Sequence, residues 1–116
     1  MDMKALFQAI DRKDTEGFVS FLTDDAEFVY ANIEPVYGKD DIRKFVDQFF
    51  SSIKGLSHEI LTQTVEQDRI VVEGTVTYIR NDGSTLQIPF ADVFELEGRK
   101  IKSYRIYLDS SDLFTP

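Results

Sequence analysis

The chain has 116 residues, which is enough for one domain with a single hydrophobic core and too few for two. Its 21 acidic and 13 basic residues give a formal net charge of −8, so it lacks the basic surface with which nucleic-acid-binding proteins displace counterions, and we expect no nucleic-acid partner. Ten Phe and five Tyr can fill a core or line a cavity for an apolar ligand, whereas the absence of Cys excludes disulfides, a thiolate nucleophile and a Cys-based metal site.

The first thirty residues predict two helices and a strand. An amphipathic helix is predicted over residues 3–12 from apolar residues at helical spacing. These are Met3, Leu6, Phe7 and Ile10. A second, short helix is predicted over residues 14–22, with Asp14 as its N-cap. Phe28 and Tyr30 then follow at the alternate spacing of a strand.

The N-terminal residues mix charged and apolar side chains, and they lack the apolar core of a signal peptide. No apolar run approaches the roughly 20 residues that span a bilayer. We therefore expect a cytoplasmic protein without a membrane partner.

The clearest helix follows a loop that is broken by Pro35 and Gly38. Residues 40–53 read DDIRKFVDQFFSSI, with two Asp at the positive N-terminal end of the predicted helix. Its apolar residues recur at i, i+3, i+4, i+7, i+8 and i+11, which forms one apolar stripe. They are Ile42, Phe45, Val46, Phe49, Phe50 and Ile53.

After this helix the hydrophobic period becomes two, which predicts a run of strands. The predicted strands cover residues 56–66, 69–80, 84–97 and 100–109. An NDG hairpin turn at 81–83 and an EGR turn at 97–99 separate the last three. Helices followed by strands indicate an α+β domain, in which three N-terminal helices pack on one face of a curved, antiparallel or mixed sheet that encloses a cone.

One residue looks out of place in the strand that reads TLQIPFADVFEL, residues 85–96. Asp92 falls in phase with the apolar residues of that strand. These are Ile88, Phe90, Phe94 and Leu96. Burying a charged carboxylate is costly unless a partner or a proton compensates it. We expect a raised pKa for Asp92 if desolvation dominates, and a lowered pKa if a protonated His58 faces it.

The single histidine is predicted on the same concave surface as Asp92. On the first long strand we expect Glu59 and Gln63 to face water, which turns the alternate residues inward. These are His58, Ile60 and Thr62. Since an imidazole can act as a general base near neutral pH, His58 and Asp92 are the candidate catalytic residues and candidate partners. In the alternative interpretation, His58 bonds within the sheet and a Tyr hydroxyl or backbone amides satisfy Asp92, without turnover.

Tyrosines and apolar residues provide the candidate ligand-binding surface. The more apolar phase of the last strand is taken as inward, and it consists of Tyr104, Ile106 and Leu108. Tyr30 and Tyr104 could present hydroxyls to a substrate carbonyl, although a buried Tyr more often packs its ring and bonds a neighbour. Phe28, Phe90 and Phe94, with Ile106 and Leu108, are interpreted as core or cavity wall, and the sequence does not separate the two.

Four stretches carry a resemblance to a known family. They are GKDDIRKF, NDG, PFADVFEL and SYRIYLD, taken with the order of helices and strands. In these the chain resembles the nuclear-transport-factor-like superfamily, and within it the SnoaL-like group, which is similar to ketosteroid isomerases and limonene epoxide hydrolases. The likeness spans nearly the whole chain, so it implies a single SnoaL-like domain over residues 1–116 with a cystatin-like cone.

The resemblance implies a ligand site, but not the best-known reactions. Asp92 matches the position of the protonated oxyanion donor of ketosteroid isomerases. The base and the oxyanion-hole tyrosine of those isomerases fall on Tyr30 and Leu6, so steroid isomerisation is not expected. The first catalytic pair of limonene epoxide hydrolases falls on Thr75 and Thr77, so their reaction is not expected either.

Periodicity does not determine which face of the strand over residues 69–80 points inward, so we use the same family comparison to choose it. It favours Thr75, Thr77 and Ile79 as the phase that faces the cavity. The other phase, together with the neighbouring strands, then gives the outer sheet face an apolar stripe. Its residues are Val72, Val76, Tyr78, Val93 and Tyr107. Because such a stripe usually marks an interface, and because the superfamily commonly pairs through this face, we expect a twofold homodimer.

Three functions follow from these residues. The first is an isomerase, cyclase or dehydratase that acts by acid-base chemistry on a small hydrophobic carbonyl compound, with no cofactor and no metal. The second is a binding domain that holds a hydrophobic ligand without turnover. The third is a dimeric interaction domain with a packed, closed cone.

Overall fold

The computed structural model describes residues 1–114 of the chain. Its helices are α1 (Met3–Asp11), α2 (Thr15–Val19) and α3 (Lys39–Ser51). Its strands are β1 (Leu22–Tyr30), β2 (Val36–Tyr37), β3 (Gly55–Glu66), β4 (Arg69–Ile79), β5 (Thr85–Glu97) and β6 (Lys100–Tyr107). The predicted helices and the four predicted C-terminal strands are present, and the α+β class is confirmed.

Short polar contacts fix where the helices begin and end. The side chain of Asp2 accepts a hydrogen bond from the backbone N–H of Ala5 at the start of α1, and Asp14 caps α2 as predicted, through the N–H of Gly17. At the C-terminal end of α3, the Lys13 ammonium group donates hydrogen bonds to the backbone carbonyls of residues 50 and 53. A cation on these carbonyls satisfies acceptors that the helix itself leaves free.

All six strands belong to one sheet in the order β2-β1-β6-β5-β4-β3. Strands β3 to β6 pair antiparallel, whereas β1 lies parallel to β6, so the sheet is mixed. The predicted loop around Pro35 contains the short strand β2, which pairs with β1 through residues 36 and 37. Helix α3 therefore follows two strands, and only α1 and α2 precede the sheet.

The inner face of β4 is the opposite of the predicted one. Residues that pair across antiparallel strands share a face, and Val72 lies opposite Asp92. The residues of β4 on the inner face are Ile70, Val72, Gly74, Val76 and Tyr78. Thr75 and Thr77, with Ile79, lie on the outer face, so their predicted place in the cavity was wrong. A shift of one residue in the family comparison is enough to exchange the two faces.

The same exchange corrects the predicted outer stripe. Val72, Val76 and Tyr78 are buried in the core and are unavailable to a partner. Val93 and Tyr107 do lie on the outer face, because they pair with residues of that face across the sheet. Tyr107 is 55% exposed. The residue set predicted for a dimer interface was therefore wrong at three of its five positions.

A bulge in β3 limits how far its inward phase extends. His58 and Ile60 lie opposite Val76 and Gly74 and share the inner face, as predicted. The register then shifts by one residue, so Thr62 pairs with an outer residue and its predicted inward position was wrong. Gly74 makes this approach feasible, since a Cβ there would lie only 2.0 Å from the carbonyl oxygen of Glu59.

The core lies between the helices and the inner face of the sheet. Phe7 of α1 is a central contact, with its ring centroid 6.0 Å from that of Phe90 and 6.3 Å from that of Phe94. The helix layer thus forms one wall of a cone, and the curved sheet forms the other. Across residues 1–114, no helix has the length and apolar character required to cross a membrane.

Candidate functional site: an aromatic cavity around Asp92

A cavity of about 50 Å³ lies inside the cone, and aromatic rings form most of its wall. Since a water takes up roughly 30 Å³ in the liquid, this volume corresponds to one or two waters. Five of the seven predicted ligand-binding residues line it, namely Tyr30, Phe90, Tyr104, Ile106 and Leu108. His58 and Asp92 line it too, so both predicted catalytic residues reach the same space.

Asp92 is the most deeply buried polar residue of this cavity, with 1% of its surface exposed. The Tyr104 hydroxyl donates a hydrogen bond to Oδ2 over 3.0 Å, whereas Oδ1 is buried with no partner among residues 1–114. Burial raises the pKa of Asp92 well above its ordinary value, and the bond from Tyr104 only partly opposes this. Sequence analysis left open whether the pKa of Asp92 is raised or lowered. It is raised, because desolvation is the largest cause of the shift.

A raised pKa favours the protonated form, which changes what Asp92 can do. A carboxylate only accepts hydrogen bonds, whereas a carboxylic acid also donates one. Because Oδ2 already accepts from Tyr104, the proton is best placed on the unpartnered Oδ1. In that form the carboxyl group can donate a hydrogen bond through Oδ1, for which residues 1–114 supply no acceptor.

His58 has a different partner from the one that the sequence suggested. Its Nδ1 lies 2.6 Å from Oδ1 of Asp11, and its backbone N–H donates to Oδ2 of Asp11 over 3.0 Å. The two oxygens of one carboxylate thus hold both the ring and the backbone of His58. The candidate pairing of His58 with Asp92 is not formed, although the two side chains line the same cavity.

Sequence analysis did not identify Asp11 as a site residue, although its position in the sequence is unusual. It is the last residue of α1, and the negative end of a helix dipole disfavours a carboxylate. A residue that is unfavourable for its own helix calls for a partner elsewhere. That partner, His58, is 47 residues further along the chain, and no local pattern identifies it.

Two further hydroxyls meet at the cavity wall. The hydroxyl oxygens of Tyr30 and Tyr78 lie 3.0 Å apart. Burial raises the pKa of both tyrosines, so both remain protonated donors at neutral pH. Tyr78 was missed as a site residue because the predicted phase of β4 placed it outside.

Rings on three sides hold Tyr104 in place. Its ring centroid lies 4.3 Å from that of Phe94, 5.5 Å from that of Phe28 and 5.9 Å from that of Phe18. Burial first, and the nearby Asp92 second, raise the pKa of the Tyr104 hydroxyl. The hydroxyl is therefore a fixed donor to Oδ2, and the Asp92 carboxyl group is held in one orientation.

In the part of the chain that the structure describes, no three His, Cys, Asp or Glu residues form a group that could hold a metal ion. The polar groups of the cavity are instead a carboxyl group, an imidazole and phenols. These are donors and acceptors suited to moving protons and to binding a neutral oxygen.

A comparison with known protein families agrees with the resemblance seen in the sequence. The profile of the SnoaL-like domain matches residues 3–104, and the chain belongs to this family. No curated protein matches the sequence.

Three solved structures show the same fold at low identity. An NTF2-like protein of unknown function from Burkholderia pseudomallei superposes with a TM-score of 0.87 at 18% identity, over 96% of this chain and 90% of that one. A protein provisionally assigned as a polyketide cyclase, from Xanthomonas campestris, has a TM-score of 0.86 at 17% identity, over 96% and 90%. An LEH-like epoxide hydrolase from M. tuberculosis has a TM-score of 0.81 at 20% identity, over 97% and 83%.

The raised pKa of Asp92 predicts how Asp92→Asn changes stability with pH. The folded-state pKa lies above the unfolded one of about 3.9, so the wild type loses stability as pH rises from there towards the folded pKa. Asn does not titrate. The free energy of unfolding of the variant minus that of the wild type should therefore increase by up to about 1.4 kcal/mol per pH unit above pH ~4.

Urea unfolding at a series of pH values measures this difference. Asp112→Asn removes an exposed carboxyl group and serves as the matched control. A difference between Asp92→Asn and wild type that stays constant with pH would show that Asp92 is not buried in its protonated form.

Proposed function

We propose that this domain binds a small, neutral carbonyl compound in the aromatic cavity and catalyses an acid-base reaction of the isomerase, cyclase or dehydratase type. The observation that carries the proposal is the unpartnered Oδ1 of Asp92 in the cavity wall. A buried polar atom without a partner costs about 1–3 kcal/mol. A domain that needed only a packed core would gain stability by losing this group, whereas a ligand oxygen would satisfy it.

The residues around the cavity suit two complementary roles. Protonated Asp92 would donate to the carbonyl oxygen of the ligand and stabilise the negative charge that develops there. His58 would move a proton to or from the neighbouring carbon through the ring nitrogen Nε2, since Asp11 engages the other ring nitrogen, Nδ1. The hydroxyl pair of Tyr30 and Tyr78 would supply a further donor.

The volume of the cavity restricts the ligand. About 50 Å³ is far below the 300–1,000 Å³ that is common for ligand pockets. Four of the apolar lining residues, however, are only partly buried, and they place part of the cavity wall at the protein surface. They are Phe45, Phe49, Ile106 and Leu108. The favoured ligands are therefore compounds of a few carbon atoms, or slightly larger ones that enter when these side chains rotate.

The names of the similar structures are consistent with this chemistry. One is provisionally assigned as a polyketide cyclase and another is an LEH-like epoxide hydrolase. Both names describe reactions at oxygen-bearing organic substrates. At 17% and 20% identity they support the class of substrate and not a particular compound.

Hydrogen–deuterium exchange into small ketones tests the proposal. With a series from acetone to cyclohexanone in D₂O, the wild type should exchange the protons next to the carbonyl faster than buffer alone. His58→Gln and Asp92→Asn should each lower kcat/KM by about 10²-fold or more, because one loses the base and the other loses the acidic donor. Proton NMR measures the loss of signal directly.

Asp112→Asn, which is exposed and lies away from the cavity, should keep the wild-type rate. Full exchange activity in His58→Gln or Asp92→Asn would contradict the catalytic roles. Saturable ketone binding without exchange would leave the second candidate, a binding domain without turnover.

The small cavity also favours a third candidate, an interaction domain in which the cone is closed. We propose that a second copy of the chain covers the outer sheet face and forms a twofold dimer. After the correction of the β4 phase, the supporting residues are the half-buried Val71, Ala91 and Val93 with the exposed Tyr107. The same face carries acidic and basic side chains, among them the ion-paired Glu95 and Arg105, so it can complement itself across a twofold axis.

Sedimentation equilibrium tests the dimer. The wild type should sediment as a dimer at micromolar concentrations, and Val93→Glu should shift it to monomer because it places a charge in the apolar face. Gln48→Glu introduces the same side chain on the exposed side of α3 and should stay dimeric. A monomeric wild type at all concentrations would contradict the proposal.

A further inference from the structure

The Asp11–His58 contact links the end of α1 to the first part of β3. One Asp11 oxygen contacts the ring nitrogen Nδ1, and the other accepts from the backbone N–H of the same histidine. The Asp11 side chain is 26% exposed and the His58 side chain is 9% exposed, so the contact is largely shielded from water. Such a two-point contact restricts the rotation of both side chains more than a single hydrogen bond does.

Aromatic packing fixes the plane of the His58 ring. Its centroid lies 4.9 Å from that of Phe7 in α1 and 5.2 Å from that of Phe90 in β5. Neither of these rings can exchange a proton. Asp11 is therefore the group that determines which nitrogen of His58 carries the proton.

We infer that Asp11 is the positioning residue of the proposed reaction, which holds His58 in the tautomer with the proton on Nδ1. An ionised carboxylate only accepts hydrogen bonds, so the Nδ1 atom facing it must be a donor. In the neutral imidazole, Nε2 is then the unprotonated nitrogen and keeps its lone pair for the ligand. Asp11 also stabilises the imidazolium that forms when Nε2 takes up a proton.

This inference rests on the proposed function for its catalytic meaning, but the tautomer itself does not depend on any substrate. The proton donor and the proton acceptor of the cavity are thereby supplied by separate groups. Protonated Asp92 provides the acid, and His58, oriented by Asp11, provides the base. Two carboxyl groups in different surroundings thus take opposite roles, one protonated and buried, the other partly exposed and paired with an imidazole.

The chain contains a single histidine, which makes the tautomer directly observable. Nitrogen-15 NMR of histidine-labelled full-length protein gives one pair of ring nitrogen signals. At a pH where the ring is neutral, the wild type should show a protonated Nδ1 and an unprotonated Nε2. The reverse assignment, or rapid averaging between the two tautomers, would overturn the inference, and this measurement needs no variant.

Asp11→Asn provides the sharper test, because it keeps the shape of the side chain. The backbone N–H of His58 requires an acceptor, so the amide oxygen should turn to it and the amide NH₂ should face Nδ1. Nδ1 must then accept, and the proton should move to Nε2. Asp14→Asn is the matched control, since it removes the same charge near the same helix end while Asn remains a good N-cap.

Kinetics separates this inference from the proposed function. With an active ketone probe, Asp11→Asn should lower kcat by about 10²-fold while KM changes little, because the variant presents the wrong nitrogen without altering the cavity. A normal tautomer and a normal kcat in Asp11→Asn would contradict the inference, and would show that Asp11 only connects α1 to β3. If the tautomer switches and no ketone reacts, the positioning role stands and the proposed reaction fails.

Discussion

The burial of one carboxyl group in the middle of β5 is the constraint on which the rest of the cavity depends. Desolvation favours the protonated form of Asp92, and a carboxylic acid needs a donor for one oxygen and an acceptor for its proton. Tyr104 supplies the donor from the neighbouring strand, over 3.0 Å. Within residues 1–114, nothing supplies the acceptor. In the proposed function, the oxygen of a neutral ligand is that acceptor.

The remaining architecture shields this group from water and places His58 on the wall of the same cavity. The register of the sheet places Val72 directly opposite Asp92, and aromatic rings from the helices and strands close the space around the carboxyl group. Helix α1 contributes at its end, because Asp11 reaches β3 and holds His58. Asp92 and His58 thus line one small cavity whose other lining residues are mostly aromatic and aliphatic.

Much of this could be predicted from the sequence, because the signals were local. The 3.6-residue period of α3, the NDG turn and the strict alternation around Asp92 depend only on neighbouring residues. The inward position of Asp92, and that of Tyr104 and Ile106 on the last strand, followed from phase alone. The family pattern extended the same reasoning to the whole fold.

The errors have equally specific causes. Both phases of β4 contain apolar residues, so the family comparison decided its inner face, and a shift of one residue there exchanged Thr75 and Thr77 with Val76 and Tyr78. The bulge after Ile60 reversed the phase of β3, and its signal, Gly74, lies on the neighbouring strand and not on β3 itself. The contact of Asp11 with His58 joins distant parts of the chain, and pairings of that kind are set by packing and not by spacing.

The most direct test of this account is the infrared spectrum of the Asp92 carboxyl group at neutral pH. The difference spectrum between the wild type and Asp92→Asn should contain the carbonyl stretch of a protonated carboxylic acid, and a neutral ketone bound in the cavity should shift that band. A difference spectrum that contains only carboxylate bands would show that Asp92 is ionised, and it would contradict the central claim that the cavity holds a neutral acid.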